Sequence, residues 1–155
     1  MISLRIRTAE KKDLDMILEL YHGLTEDPQD KITLRHAEEI FEKLKIYPDY
    51  KLYLAEFNNE IAGTFALLIM DNLAHRGEPS SIVEDVVVRK DLQGKGIGKE
   101  MMKYAMGISR QKGCYKIVLS SHLRRKDAHR FYESLGFKKH GYSFVANLKS
   151  HETSR

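Results

Sequence analysis

The sequence predicts an α/β fold in which a mixed β-sheet is combined with helices in a single domain. Its length of 155 residues corresponds to one domain of ordinary size. Apolar residues alternate with polar ones in some segments and recur every three or four residues in others, which indicates both strands and helices. The order of these segments is β-α-α-β-β-β-α-β-α-β-β. Strands interrupted by helices in this order favour a mixed sheet.

The first half of the chain is expected to form a strand, two helices and a hairpin. Residues 4–7 alternate between apolar and arginine side chains, as a half-buried strand does. Thr8 is expected to cap the first helix, and a second helical segment is expected from about Thr33; both carry an apolar stripe. The strands that follow are 52–57 and 61–70, joined by Asn58-Asn59, a two-residue connection of the hairpin type.

The second half is expected to alternate strands and helices. Residues 86–88 are consecutive valines, apolar on both faces, so their strand is expected to be buried. The expected elements are strand 82–88, helix 96–112, strand 115–119, helix 127–135 and a final hairpin over 137–148. We expect residues 1–149 to form the domain and residues 150–155 to be a polar tail.

Composition excludes several classes of protein. A content of 42% hydrophobic and 31% charged residues is typical of globular proteins and not of disordered ones. The longest apolar-rich run, 61–70, has half the roughly 20 residues that a membrane span needs, and the first residues lack a signal-peptide core. Cys114 is the only cysteine, which fits a reducing compartment. We therefore expect a soluble, cytoplasmic protein.

Charge and histidine content narrow the choice of ligand. The formal net charge is +4, and the 26 basic and 22 acidic residues are interleaved along the chain. No basic stripe with interleaved aromatic residues is present, so a nucleic-acid partner is not expected. The seven histidines lack metal-ligand spacing, and no metal is expected. A small anionic ligand remains compatible with the charge.

A glycine-rich turn between the valine strand and the next helix predicts an anion site. Gly94, Gly96 and Gly98 let successive backbone N–H groups converge, and the start of the helix adds unpaired donors. The dinucleotide fingerprint, started at Gly96, would need glycine where Met101 stands. A P-loop would need serine or threonine where Glu100 stands. The turn therefore predicts phosphate binding of another kind.

Two motifs resemble those of the GNAT N-acetyltransferase superfamily. The first is Q-x-x-G-x-G, carried by Gln93, Gly96 and Gly98 after a buried strand. The second is A-H-R-F-Y-E-S-L-G-F over residues 128–137. The resemblance covers nearly the whole chain and is strongest over 82–137. It implies a mostly antiparallel central sheet with a V-shaped splay between two central strands, flanked by about four helices.

The resemblance implies an acetyl-coenzyme A-dependent N-acetyltransferase that acts by direct attack of a primary amine in a ternary complex. Tyr132 matches the tyrosine whose hydroxyl lies near the cofactor sulfur, and a phenol can donate the proton that a leaving thiolate needs. Arg125 stands where many relatives carry an asparagine that touches pantetheine. The cofactor-binding residues implied in this way are Val86, Val87, Val88, Gln93, Gly94, Lys95, Gly96, Ile97, Gly98, Lys99 and Arg125.

The attacking amine must lose a proton, and Glu84 matches the position of a glutamate that acts as base through a water in many relatives. Asp85 is the adjacent alternative. Simple strand alternation places these two carboxylates on opposite faces, so that only one faces the acceptor. We expect Glu84 to be the base.

Within the superfamily, the chain looks most like aminoalkylphosphonate and glucosamine-phosphate N-acetyltransferases. Both act on small amines that bear a phosphorus oxyanion, and such relatives are often dimers. The basic side chains able to hold that anion, or the 3′-phosphate of the cofactor, are Arg124, Arg125, Lys126 and Arg130. Two alternatives remain: a regulatory module that binds acyl-coenzyme A without transfer, and an acetyltransferase of protein or peptide amines.

Overall fold

A computed structural model describes residues 3–24 and 28–149. The chain divides into two compact units, Met1–Leu119 and Ser120–Arg155. The strands of the described part are β1 (Leu4–Thr8), β2 (Tyr50–Phe57), β3 (Glu60–Met70), β4 (Ser80–Val88) and β5 (Lys116–Val118). Its α-helices are α1 (Leu14–His22), α2 (Leu34–Leu44), α3 (Ile97–Gln111) and α4 (Lys126–Ser134). The polar tail expected from residue 150 lies outside the described residues.

The strands form one sheet in the order β1-β2-β3-β4-β5. The first four strands pair antiparallel, and β5 is parallel to β4. This confirms the expected mixed, mostly antiparallel sheet. The pairing of β4 with β5 ends at Ile82 and Val118, whereas β4 continues to Val88. One edge of β4 is therefore left without a β5 partner over 83–88.

The expected start of the second helix and the expected hairpin turn are confirmed. The Thr33 hydroxyl accepts a hydrogen bond of 3.2 Å from the His36 N–H and so caps α2. Asn58 and Asn59 both adopt left-handed backbone conformations, with φ of 51° and 67°. Because two positive φ values match the twist of paired strands, these residues form a tight hairpin turn between β2 and β3.

The expected cap at Thr8 is wrong, because Thr8 is the last residue of β1. A short 3-10 turn over Lys11–Asp13 comes before α1. The Asp13 carboxylate accepts the Glu10 N–H at 2.7 Å and also binds the Arg7 guanidinium through two hydrogen bonds of 2.7 and 3.0 Å. This buried carboxylate, not the threonine hydroxyl, organises the start of the helical segment.

The two faces of the sheet pack against different helices. On one face, Leu54 lies in a core cluster with Leu14 and Ile17 of α1. On the other face, the ring of Tyr53 lies 5.7 Å from that of Tyr104 in α3. Alternation along β2 therefore assigns one set of side chains to α1 and the neighbouring set to α3. The α1 face is the one on which Thr64, the partner of Leu54 in β3, also lies.

The second unit contains α4, close to the predicted helix 127–135. The expected hairpin over 137–148 is wrong: no strand forms in the described residues after α4. Its first arm carries few apolar residues, and a two-stranded hairpin is marginal in water unless it joins a larger sheet. In neither unit is a described helix both long and apolar enough to cross a bilayer.

Candidate active site

The glycine turn presents backbone donors at the start of α3. Gly94 and Gly96 have φ of 76° and 82°, and a side chain at either position would meet no atom within 4 Å. Backbone conformation rather than lack of space therefore requires glycine here. The Glu100 N–H donates to the Gly96 carbonyl at 3.1 Å, which begins the helical ladder. The N–H groups of residues 97–99 precede it and point out of the helix, as an anion site requires.

Side chains around the turn fix its two ends. The Gln93 amide donates a 3.0 Å hydrogen bond to the Val88 carbonyl and so ties the turn back to the end of β4. Leu92 and Ile97, which flank the turn, are buried, whereas residues 93–96 are exposed. Lys95 lies over the ring of Phe57, 5.9 Å from its centroid. The exposed glycine segment thus lies between two buried residues, Leu92 and Ile97.

The end of β4 offers backbone groups at its unpaired edge. The Val87 carbonyl lies so close to Gly63 in β3 that a side chain on Gly63 would approach it to 2.8 Å. The Arg89 N–H also points toward β3, because it donates to the Ala62 carbonyl at 2.8 Å. Alternation directs the Val88 N–H and carbonyl to the opposite edge, where the carbonyl accepts the Gln93 amide. The Val88 N–H at this edge can donate to an extended ligand next to the turn.

A β-bulge interrupts β4 at Asp85. Ala66 of β3 faces Glu84 and Thr64 faces Val87, so Phe65 alone opposes residues 85–86. Asp85 has φ of 51°, a left-handed conformation that costs a non-glycine residue about 1 kcal/mol or more. The bulge changes the direction of the side chains that follow Glu84, and simple alternation therefore does not apply to this pair.

Both carboxylates act on the same tyrosine. Burial raises the pKa of Tyr50, and the charges of Glu84 and Asp85 raise it further. Burial, followed by the charge of Asp85, raises the pKa of Tyr21 in α1. The regular alternation on which we predicted opposite faces for the two carboxylates is interrupted by the bulge, and both lie within electrostatic range of the Tyr50 hydroxyl. Sequence reasoning missed Tyr50 and placed Tyr21 in an ordinary core stripe.

The carboxylates of β4 suit proton transfer from an amine. Partial desolvation raises the pKa of Asp85, which makes this carboxylate a stronger base than an ordinary aspartate. Among the described residues, neither Glu84 nor Asp85 forms an ion pair with a basic side chain. A cationic acceptor would supply the missing positive charge.

Tyr132 is held near the end of α4 by a Schellman motif. The Phe137 N–H donates to the Tyr132 carbonyl at 3.1 Å, and the Gly136 N–H donates to the Glu133 carbonyl at 3.0 Å. The rings of Tyr132 and Phe137 are 5.7 Å apart and complete the motif. Burial raises the pKa of Tyr132, and the charge of Arg125 opposes this shift. The hydroxyl is thus protonated near neutral pH and able to donate.

The second unit also carries the basic cluster. The Arg124 N–H donates to His122 Nδ1 at 3.1 Å, and a ring nitrogen of His129 lies 3.0 Å from the His122 carbonyl. These histidines therefore organise the loop before α4. Arg130 pairs with Asp127. No group of three or more metal-ligating side chains occurs in the described part of either unit.

The predicted site residues divide between the two units. Glu84, residues 86–88 and residues 93–99 lie together in the first unit, along β4 and the turn that follows it. Tyr132 and Arg125 lie in the second unit, on α4 and at its start. Each unit on its own thus holds part of the predicted chemistry.

Comparison with known proteins identifies the family of this chain. A model of the acetyltransferase (GNAT) family matches residues 14–137. The chain is 33% identical over 140 residues to the glucosamine 6-phosphate N-acetyltransferase of Trypanosoma brucei brucei, covering 90% of this chain and 92% of that protein. It is 29% identical over 154 residues to the aminoalkylphosphonate N-acetyltransferase of Salmonella typhimurium, covering 89% of this chain and 96% of that protein.

The fold agrees as well. The crystal structure of a Trypanosoma brucei acetyltransferase matches with a TM-score of 0.81 at 30% identity, over 94% of this chain and all of that one. The family match spans most of the chain and includes both β4 and α4. The chain therefore belongs to the acetyltransferase (GNAT) family and is an N-acetyltransferase.

Proposed function

We propose that this enzyme transfers the acetyl group of acetyl-coenzyme A to the primary amine of a small molecule, by direct attack in a ternary complex. The observation that carries the proposal is the arrangement along β4. Two carboxylates, an unpaired backbone edge and a glycine turn rich in N–H donors follow one another in the chain. Residues 1–149 form the catalytic domain in this proposal, since the family match crosses both units. The tail is 150–155.

Acetyl-coenzyme A, when bound, supplies an acetyl group activated as a thioester. The backbone N–H groups of residues 93–99 bind its pyrophosphate, and the adjacent ammonium groups of Lys95 and Lys99 add positive charge. In this proposal the backbone of residues 86–88 pairs with the pantetheine arm, and Arg125 is a further cofactor-binding residue. Support for this fit comes from the left-handed Gly94 and Gly96, which leave the cradle clear of side-chain atoms.

Two side chains move protons. The Glu84 carboxylate accepts a proton from the acceptor ammonium through a water, because only the neutral amine is a nucleophile. The Tyr132 hydroxyl donates the proton that the leaving sulfur requires. Its raised pKa supports this role, because a phenol that stays protonated is available as an acid. The proton then returns to Tyr132 Oη from solvent or from the amine.

We propose that the acceptor is a small amine that carries a phosphate or phosphonate. Two relatives, named for glucosamine 6-phosphate and aminoalkylphosphonate, combine these groups in their substrates. The exposed basic side chains at the start of α4, among them Arg124 and Lys126, suit a phosphorus oxyanion. The single cysteine, Cys114, favours a reducing cytoplasm as the place of action.

The acceptor class is tested by coenzyme A release with a panel of matched amines. The panel pairs glucosamine 6-phosphate with glucosamine, and an aminoalkylphosphonate with the corresponding alkylamine. It also includes a polyamine and a lysine peptide. We expect the phosphorus-bearing member of each pair to have the higher kcat/KM. Equal values within each pair would contradict the oxyanion, and preference for the peptide would assign a protein acceptor. No release with any amine would favour a regulatory module.

A further inference from the structure

Arg89, immediately after β4, links three parts of the first unit. Its guanidinium donates to both carboxylate oxygens of Asp91, at 2.7 Å from Nε and 3.0 Å from Nη2. The same group donates to Glu60 Oε2 at 3.0 Å and to the Ile61 carbonyl at 3.3 Å. Glu60 and Ile61 begin β3, just after the hairpin turn. The side chain thus connects the start of the glycine turn to the β2–β3 hairpin.

The main chain of Arg89 takes part in the same connection. Its N–H donates to the Ala62 carbonyl at 2.8 Å, and its carbonyl accepts the Leu92 N–H at 2.9 Å. The Arg89 side chain has 30% of its surface exposed, and its partners Glu60 and Asp91 have 67% and 63% exposed. Planar two-point pairing of a guanidinium with a carboxylate is among the more rigid polar contacts in proteins. Arg89 therefore fixes both the position and the direction of the chain that enters the turn.

The glycine segment needs such fixation. A Cβ atom at Gly94 or Gly96 would meet no atom within 4 Å, so side-chain packing does not hold these residues in place. Glycine also has more backbone freedom to lose than any other residue when it becomes ordered. N–H donors bind an anion strongly only when they are already oriented, because ordering them on binding consumes affinity. Contacts at the two ends of the turn must therefore hold it in one conformation.

We propose that Arg89 and Asp91 form a tether that positions the glycine turn for binding of the coenzyme A pyrophosphate. The inference deepens the proposed function, because it rests on the turn being the cofactor site. Arg89 is a positioning residue in this account, and it acts through the backbone of the turn. Asp91 holds the Arg89 guanidinium in place, although its negative charge repels the anionic ligand.

The direction in which one substitution changes the affinity for coenzyme A distinguishes this tether from a simple charge effect. Asp91 lies within electrostatic range of Lys95, whose charge, after the larger effect of Arg89, lowers the pKa of Asp91. If Arg89 and Asp91 acted only through local charge, Asp91→Asn would make the turn more positive and would tighten binding of a polyanion. If they act as a tether, Asp91→Asn weakens binding although the protein has gained positive charge.

The experiment measures binding of coenzyme A by titration calorimetry, without any amine. We expect Asp91→Asn and Arg89→Gln each to raise the dissociation constant about fivefold, the change that loss of one partly exposed ion pair produces. Arg35→Gln is the matched control. Arg35 pairs with Glu39 on the exposed surface of α2, so its loss removes the same charge outside the turn. We expect this control to bind as the wild type does.

The double variant and amide exchange complete the test. Arg89→Gln combined with Asp91→Asn is expected to bind no more weakly than Arg89→Gln alone, because both remove one tether. Amides of residues 94–98 are expected to exchange faster in Asp91→Asn than in the wild type. Unchanged or tighter binding by Asp91→Asn, or unchanged exchange, would overturn the tether. Failure of the wild type to bind coenzyme A would instead contradict the proposed function, and the exchange rates would still test the tether.

Discussion

At the scale of single residues, the proposed chemistry depends on how two kinds of ionisable group are held. Tyr132 is fixed by a helix-ending motif and is buried enough to keep its proton. Glu84 and Asp85 lie at a left-handed bulge in β4, and after burial both charges raise the pKa of Tyr50. In the proposed mechanism, Tyr132 donates a proton and a carboxylate of β4 accepts one.

Removal of the Tyr132 hydroxyl tests its role as the acid. We expect Tyr132→Phe to lower kcat about a hundredfold, because positioned proton donors contribute on that order, and to leave the dissociation constant of acetyl-coenzyme A unchanged. The ring contacts with Phe131 and Phe137 remain in this variant, so the helix end is preserved. The measurement is steady-state kinetics combined with cofactor titration. Wild-type kcat in this variant would remove Tyr132 from the mechanism.

A pair of isosteric substitutions identifies the base. The base must be deprotonated, so kcat/KM falls as pH drops through the pKa of the acting carboxylate. We expect Glu84→Gln to lower kcat/KM about a hundredfold and to flatten this acid limb. Asp85→Asn is the matched variant, because asparagine tolerates the left-handed backbone of the bulge. We expect Asp85→Asn to retain the fall of kcat/KM at low pH, the acid limb. If Asp85→Asn loses the limb and Glu84→Gln keeps it, Asp85 is the base, at the higher pH that its raised pKa implies.

At the scale of elements, the strand–turn–helix unit formed by β4, the glycine turn and α3 carries the proposed cofactor site. Its donors depend on backbone angles that glycine adopts without strain and other residues do not. The unit is anchored by the buried Ile97 at the helix start and by contacts with the β2–β3 hairpin. Conformation at the turn, rather than any one side chain, is therefore expected to control cofactor affinity.

Two glycine-to-alanine substitutions in this unit are expected to have opposite effects. Gly96→Ala places a side chain at φ of 82°, which we expect to cost about 1 kcal/mol of stability and to weaken binding of coenzyme A. Gly107→Ala lies inside α3 and meets no atom within 4 Å. We expect it to raise stability by about 0.5 to 1 kcal/mol with unchanged binding. Denaturant unfolding and cofactor titration measure both effects. Equal behaviour of the two variants would refute a conformational role for Gly96.

Sequence patterns predicted the elements well where the signal is local. The second helix begins after Thr33, Asn58-Asn59 makes the hairpin turn, and the glycines after residues 86–88 mark a strand-to-helix turn. Features that depend on pairing between distant residues were not predictable. The bulge at Asp85 arises from the register of β3 with β4 opposite Phe65. The partner of Arg89 at Glu60 lies 29 residues away in sequence.

At the scale of the whole molecule, the net charge of +4 acquires a distribution that fits its ligands. Lys95 and Lys99 lie in or next to the turn that is proposed to bind pyrophosphate. Arg124, Arg125 and Lys126 precede or begin α4 in the second unit. The carboxylates of β4 have no basic partner in the described residues. These basic side chains thus lie at the proposed sites for anionic groups. The carboxylates of β4 carry the negative charge that we propose for binding the amine.

Direct transfer of acetyl from acetyl-coenzyme A to an amine can be tested by product analysis with mass spectrometry. The enzyme is incubated with acetyl-coenzyme A alone, and then with glucosamine 6-phosphate or an aminoalkylphosphonate added. We expect no acetylated protein in the first case, and equimolar coenzyme A and N-acetylated amine in the second. An acetyl group on the protein that later moves to the amine would contradict direct attack. Absence of any N-acetylated product would contradict the proposed reaction.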